Sequence, residues 1–318
     1  MEDLRIALLN VRSIERESTR FWLCNHLHGC GVDIAAVTET HLSGNHIAPY
    51  LQGFTLYSSG PKESPSHSGV GFAVRGAAKV KNWVPIDGRL CYAHFVCDGL
   101  GFVVICCNAP TLRAPRVEAE EFYRRFAETL TTVRQRFSRL PLLIAGDFNT
   151  SIGDAVFSTG VAKVRPCWIP LGSKTCRNGM KLVEFCRTHG VQIANFENPT
   201  GLRAEYTWNH PRTSVGAVKD MWLIPREWRG VLRRVEVEPQ ISFTSDHHMV
   251  YWRFRPIAAA LAASNPARGL NPARSELEPE DLAELNPARG LNPARSVGLN
   301  DNVKSCSKAP LNQKRLKP

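Results

Sequence analysis

Strand-length apolar runs alternate with helix-period segments from residue 4 to residue 254, and several of these runs stop on an Asn, Asp or Glu. This alternation constrains the chain more than any other feature. Interleaved strands and helices bury their apolar faces efficiently only in layered α/β architectures. "LRIALLN" and "DIAAVTE" read as buried strands, joined by "STRFWLCNHLHGCG", which reads as a helix that stops at glycines. "GVGFAVRG", "LCYAHFVC" and "GFVVICCNAP" are short, rich in β-formers and bounded by Gly or Pro, which predicts neighbouring strands of one sheet. "RVEAEEFYRRFAETLTTVRQRF" carries Phe122, Phe126, Leu130, Val133 and Phe137 at helical spacing and predicts a long amphipathic helix. Its Arg124, Arg125, Arg134 and Arg136, with Arg139 after them, read as a solvated face. "PLLIAGD" returns to strand, with Gly146 expected to bend the chain so that Asp147 and Asn149 project to one mouth. "NGMKLVEFCRTHG" predicts a helix with an Asn start and a Gly stop, and "VQIANF", "EYTW", "DMWLI", "LRRVEVE" and "HMVYWRF" predict strands. The expectation is one α/β domain over residues 1–256, with helices outside a central pair of sheets.

Beyond residue 256 the composition shifts. "NPARGLNPARS" occupies 265–275 and recurs letter for letter at 286–296, separated by an acidic spacer. A solenoid needs at least three stacked copies with an apolar face, and these two Pro-rich copies offer neither. Residues 257–318 therefore read as a disordered repetitive tail that cannot bury enough surface to offset its ordering entropy.

Lys and Arg number 40 against 29 Asp and Glu, a net charge of +11, which points to a polyanionic partner such as nucleic acid or an anionic membrane surface. No run approaches the roughly 20 apolar residues that span a bilayer. The opening "MEDLRIALLN" lacks the layout of a signal peptide, so a nuclear or cytoplasmic location away from membranes is expected. The ten cysteines include no CxxC and no Cys/His spacing for a closed zinc site. Cys24, Cys106, Cys107 and Cys186 sit in apolar surroundings and read as reduced, core-filling thiols.

The polar residues at the strand ends are Asn10, Glu39, Asp147 with Asn149, Asp220, and Asp246 with His247. Each alone has an ordinary explanation: an Asn or Asp closing a strand forms turns, a Glu there is a solvated charge, and a His beside an Asp is a structural pair. Together they are the parts that hold Mg²⁺ through oxygen ligands and hydrolyse a phosphodiester. Carboxylates hold the cation, a separate carboxylate aligns water, and a His paired with an Asp donates to the phosphate or moves a proton.

The ordered set "LLNVRS", "VTETHLS", "LLIAGDFN", "YTWNHP", "VKDMW" and "TSDHHMV" resembles the endonuclease/exonuclease/phosphatase family over residues 4–255. Within that family it is most similar to the apurinic-type endonuclease domains of non-LTR (LINE-like) retrotransposons. The resemblance implies a DNase I-like, four-layer α/β sandwich: two facing mixed β-sheets flanked by helices, with the site at one edge. It implies a Mg²⁺-dependent (Mn²⁺ as a substitute) endonuclease acting on DNA, with a monomer expected. By motif match, Glu39 would be the main metal ligand, assisted by Asn10 and Asp246. Asp147 would position the attacking water, Asn149 would hold it with a phosphate oxygen, and Asp220 would orient His247, which stabilises the transition state. Asn108 stands where many members have a phosphate-contacting Tyr. Trp208, Asn209 and Arg212 fall at or in a hairpin, "NHPRTSVGAV", whose counterpart contacts DNA, and Arg212 would enter a minor groove. The chain departs from the pattern at Asn108, at Arg12 where repair-type members carry an acidic residue, and at Lys219 and Met221 around Asp220. Two alternatives stay open: a phosphatase or phosphodiesterase for small-molecule or lipid phosphate esters, and a decayed remnant that binds DNA without cutting it.

Overall fold

The computed structural model describes residues 4–61, 68–163, 165, 169, 172–196, 206–213, 215–231, 234–238 and 245–254. The repeat-bearing stretch 257–318 lies outside the described residues. In chain order the elements are β1 (Leu4–Asn10), α1 (Glu17–Gly29), β2 (Ile34–Thr38), β3 (Asn45–Pro49), β4 (Thr55–Ser59), β5 (Val70–Val74), β6 (Lys79–Asp87), β7 (Leu90–Cys97) and β8 (Leu100–Asn108). After them come α2 (Arg116–Arg136), β9 (Leu142–Asp147), α3 (Asp154–Ser158), α4 (Arg177–His189), β10 (Val191–Ile193), β11 (Trp208–Asn209), β12 (Gly216–Ala217), β13 (Asp220–Pro225), β14 (Arg234–Glu238) and β15 (Met249–Phe254).

The strands form a seven-stranded sheet, ordered β14-β15-β1-β2-β5-β4-β3, and a six-stranded sheet, ordered β10-β13-β9-β8-β7-β6. Both are mixed: β1 runs parallel to β2 but antiparallel to β15, and β8 runs parallel to β9 but antiparallel to β7. Strand alternation then sorts the core into layers. Ile6, Leu8, Val104, Cys106, Leu143, Ala145, Trp222 and Trp252 pack in one cluster between the sheets. The alternate residues Ala7 and Leu9 of β1 pack with Leu23 and Leu27 of α1. Those of β8 and β9, Val103, Ile105, Leu142 and Ile144, pack with Phe122, Phe126 and Leu130 of α2 and Leu182 and Phe185 of α4. Helix, sheet, sheet and helix give four layers: the strand and helix pattern predicts helices outside a pair of sheets, and the family resemblance implies this DNase I-like sandwich.

Four local details refine the sequence reading. First, Gly146 lies inside β9 and makes no bend; a Cβ there would fall 2.3 Å from Cys107 Sγ, so the glycine permits close approach of β9 to β8. Second, α4 is capped by Cys176, whose Sγ accepts from the Gly179 backbone N–H, and not by Asn178; its stop at Gly190 is a left-handed residue with φ 63°. Third, three arginines of α2 have partners within the protein. Arg124 meets Glu121 and Glu128, Arg125 meets Asp87, and Arg134 donates to the His189 carbonyl. Finally, β3, β4 and β6 complete the sheets without a clear signature in the sequence. Cys24, Cys106, Cys107 and Cys186 are buried free thiols, as expected. Among the described residues no helix is long and apolar enough to cross a membrane.

Candidate active site

The register of the six-stranded sheet sets Asn108, Asp147 and Asp220 side by side in one row, at the end of β8, the end of β9 and the start of β13. From the facing sheet, β1 ends at Asn10, β2 ends at Thr38 just before Glu39, and β15 begins just after Asp246 and His247. Parallel β1 and β2 end together, while antiparallel β15 starts where β1 stops. Six strand ends therefore meet at one edge of the sandwich. Asn10, Asn108, Asp147 and Asp220 are fully or almost fully buried, and His247 is 5% exposed.

Both oxygens of Asp147 are held. Asn10 Nδ2 donates to Oδ2 at 2.9 Å across the gap between the sheets, and the Asn149 backbone N–H donates to Oδ1 at 2.8 Å. Asn149 Nδ2 donates to the Ala109 carbonyl, which fixes the loop after β9. Asp220 Oδ2 lies 2.8 Å from His247 Nδ1, while Nε2 of the same ring faces away, 3.9 Å from Asp246 Oδ1. Asp246 takes Trp208 Nε1 on one oxygen at 3.0 Å and has Arg12 3.4 Å from the other. Ser245 Oγ ties the segment to the Asn10 carbonyl and accepts from the His247 N–H.

The loops at this edge hold unusual backbone. Arg12, Ser13, Glu39, His41 and Asn149 all have positive φ, a conformation uncommon outside glycine that concentrates at functional sites. Sequence reasoning missed two supports. Asn178, buried on α4, donates from Nδ2 to the carbonyls of Pro110 and Asn149. Thr207 Oγ1 accepts from the backbone N–H of both Lys219 and Asp220. Their only sequence signals are an amide near the start of a helix and a Thr in "YTW", neither distinctive.

The electrostatics follow from burial and crowding. Burial raises the Glu39 carboxyl; the Asn10 amide beside it opposes that shift and the nearby Asp147 charge adds to it. Burial also raises the Asp220 carboxyl, against the pull of His247. For His247, burial alone would lower the pKa, but the carboxylates around it, Asp220 foremost, overcome this and push it up to about 9. At neutral pH the imidazole is thus protonated. Because this folded value exceeds the ordinary histidine value of about 6.5, the associated stability is fully present below about pH 6.5 and is lost as pH rises toward 9. We expect the urea midpoint of the metal-free protein to fall across that window by the equivalent of about 2–3 kcal/mol relative to His247→Gln. Identical pH slopes for the two proteins would remove this assignment.

Ligand atoms of Asp147, Asp220 and His247 all lie within 4.8 Å of one another. The oxygen-rich donors at this edge suit a hard divalent cation. These three groups could hold such an ion; His247 Nδ1 meets Asp220, and Glu39 and Asn10 stand beside Asp147 at the same edge. Met221 and Lys219, which depart from the family pattern, have structural places: Met221 is buried in the helix-side core, and the Lys219 ammonium lies 3.3 Å from the centre of the Trp208 ring. Trp208 is bridged to His247, so the β11–β12 hairpin is anchored beside the site, with Asn209 donating to the Asp246 carbonyl and Arg212 exposed at the turn.

Two facing sheets with a buried carboxylate, amide and histidine edge are the layout of a DNase I-like fold. The chain belongs to the Endonuclease/Exonuclease/phosphatase family, whose profile matches residues 7–247. Among curated proteins it is 27% identical over 191 residues to "Craniofacial development protein 2" of Tragulus javanicus, covering 59% of this chain and 31% of that protein. The match therefore spans about a third of the relative's length. The endonuclease domain of TRAS1, a telomere-specific non-LTR retrotransposon, superposes with a TM-score of 0.55 at 13% identity, over 80% of this chain and 99% of that one. NExo, a 3' phosphatase from Neisseria solved with a product DNA hairpin, superposes with a TM-score of 0.53 at 18% identity, over 79% of this chain and 99% of its own.

Proposed function

We propose that this chain is a Mg²⁺-dependent DNA endonuclease that nicks one strand of a duplex, as in target-site cleavage by a non-LTR retrotransposon. The observation that carries the reading is the buried cluster of Asp147, Asp220 and His247 at the edge where six strand ends meet. Glu39, Asn10 and Asp246 would hold the cation, and Mn²⁺ suits the same oxygen donors. When bound, the cation neutralises charge on the phosphate oxygens. Asp147, aimed by its two donors, aligns the attacking water and takes its proton as the water oxygen bonds to phosphorus and the P–O bond to the leaving sugar oxygen breaks, the leaving alkoxide being protonated from solvent; Asn149 holds that water against a phosphate oxygen. His247 donates from Nε2 to the phosphate as charge builds, while Asp220 fixes the ring and keeps it protonated. Asn108 lines the floor of the same row.

DNA as substrate is supported by the net charge of +11 and by the two structural neighbours, a retrotransposon endonuclease domain and a 3' phosphatase bound to a DNA hairpin. Trp208, Asn209 and Arg212 place a hairpin beside the reacting groups, where it meets duplex flanking the cut. In this reading the chain acts as a monomer in the nucleus or cytoplasm, and 257–318 is an appendage outside the chemistry. The full chain with supercoiled plasmid and Mg²⁺ should yield nicked circles, and EDTA should abolish them. Phosphate release from inositol phosphates without nicking would replace DNA by a small ester. Salt-dependent DNA binding with no metal-stimulated cleavage would leave a binding remnant.

A further inference from the structure

Lys219 packs its ammonium over Trp208 next to the cluster of Asp147, Asp220 and His247. The main chain of Lys219 is fixed on both sides: its N–H donates to Thr207 Oγ1 at 2.9 Å, and its carbonyl accepts from the Phe148 N–H at 2.9 Å. The ammonium lies 3.3 Å from the centroid of the Trp208 ring. That ring is itself held, because Nε1 donates to Asp246 and the residue is bridged to His247. Its centroid is 6.4 Å from that of His247, which puts the ammonium within about 10 Å of the imidazole, a reach of one or two nucleotide steps.

Arg89, Arg124, Arg125 and Lys181 all have acidic partners in the structure. Among the described residues, no carboxylate comes within ion-pair distance of Lys219. An aromatic face orients an ammonium and displaces part of its water without neutralising it. Such a group keeps its charge and its outward N–H donors for an anion. The stem alone would suffice to shield the tryptophan, yet here the charged end sits over the ring.

We propose that Lys219 is a substrate-binding cation that holds a DNA phosphate adjacent to the scissile one, aimed by Trp208. This rests on the DNA endonuclease reading. The full chain, Lys219→Met, Lys219→Gln and Lys219→Arg are titrated against a fluorescein-labelled duplex in EDTA by anisotropy, between about 50 and 200 mM salt. Lys219→Met and Lys219→Gln should lower the slope of log K against log salt by about 0.9 and weaken binding about 5-fold, with Lys219→Arg near the full chain. In Mg²⁺ nicking assays the loss should appear as a raised KM with little change in kcat. A Lys219→Gln protein that melts like the unaltered chain and keeps its salt slope overturns the assignment, as does a loss confined to kcat. If the unaltered chain fails to nick but the slope still drops in the variants, the endonuclease reading falls and the phosphate contact stands. If it nicks and the slope stays unchanged in the variants, the phosphate contact falls and the endonuclease reading stands.

Discussion

Asp147→Ala should lower the single-turnover nicking rate by about 10³-fold, and His247→Ala by about 10²–10⁴-fold, in protein that remains folded. Each side chain acts directly on a reacting group in the proposed mechanism, and each is held by partners that survive its removal. Asn is not a neutral replacement for Asp147. Both carboxylate oxygens accept hydrogen bonds, from Asn10 and from the Asn149 N–H, and an amide can satisfy only one of them with its oxygen. Truncation to Ala leaves the buried Asn10 amide without this acceptor, a cost of about 1–3 kcal/mol, so thermal unfolding must accompany the kinetics. The double variant should be little worse than the poorer single one, because groups that act on one transition state are not additive. Nicking that survives both single substitutions within about 10-fold would sink the assigned roles.

The second large effect concerns stability. Trp222→Ala should cost about 3–5 kcal/mol, read as a lowered urea midpoint with an unchanged slope. Trp222 is fully buried between the sheets and packs edge-on against Trp252 at 5.4 Å. Its Nε1 donates to the Val250 carbonyl at 3.2 Å, so a β13 side chain bonds the backbone of β15 in the facing sheet. Trp222→Phe keeps most of the apolar volume and removes that donor, and should cost about 1–3 kcal/mol. A Trp222→Ala protein as stable as the parent would show that the sheets are held together elsewhere. Since Asp220 begins the same strand, nicking should fall along with stability.

Much of this architecture is legible in the sequence, because it depends on local period. The short continuous apolar runs in "LRIALLN" and "PLLIAGD" and the helical spacing of Phe122, Phe126 and Leu130 are properties of a few consecutive residues. The polar residues closing those runs could be picked out for the same reason. What could not be read is pairing across the chain. Nothing near Asn10 says that its amide reaches Asp147, or that Asn178 will hold the loop after it. Strand β3 is almost entirely exposed, so it lacks the one-sided pattern that marks a strand. Cys176 supplies a cap that residue preferences assign to Ser, Thr, Asp or Asn. Lys219 departs from its family's pattern, and nothing near it in the sequence says that its ammonium lies over Trp208.

In the seven-stranded sheet β15 lies between β14 and β1, so the last of the described strands completes the neighbourhood of the first. Synthesis runs the other way. At about 5–20 residues per second, β1 waits on the order of tens of seconds for its partner to emerge. Through that interval the backbone groups along the β15-facing edge of β1 have no partner from their own chain. A product that stops before Met249 never gains that partner. Such a truncation would therefore leave a sticky intermediate for chaperones and proteases to clear, linking translation through Met249–Phe254 to the survival of the protein.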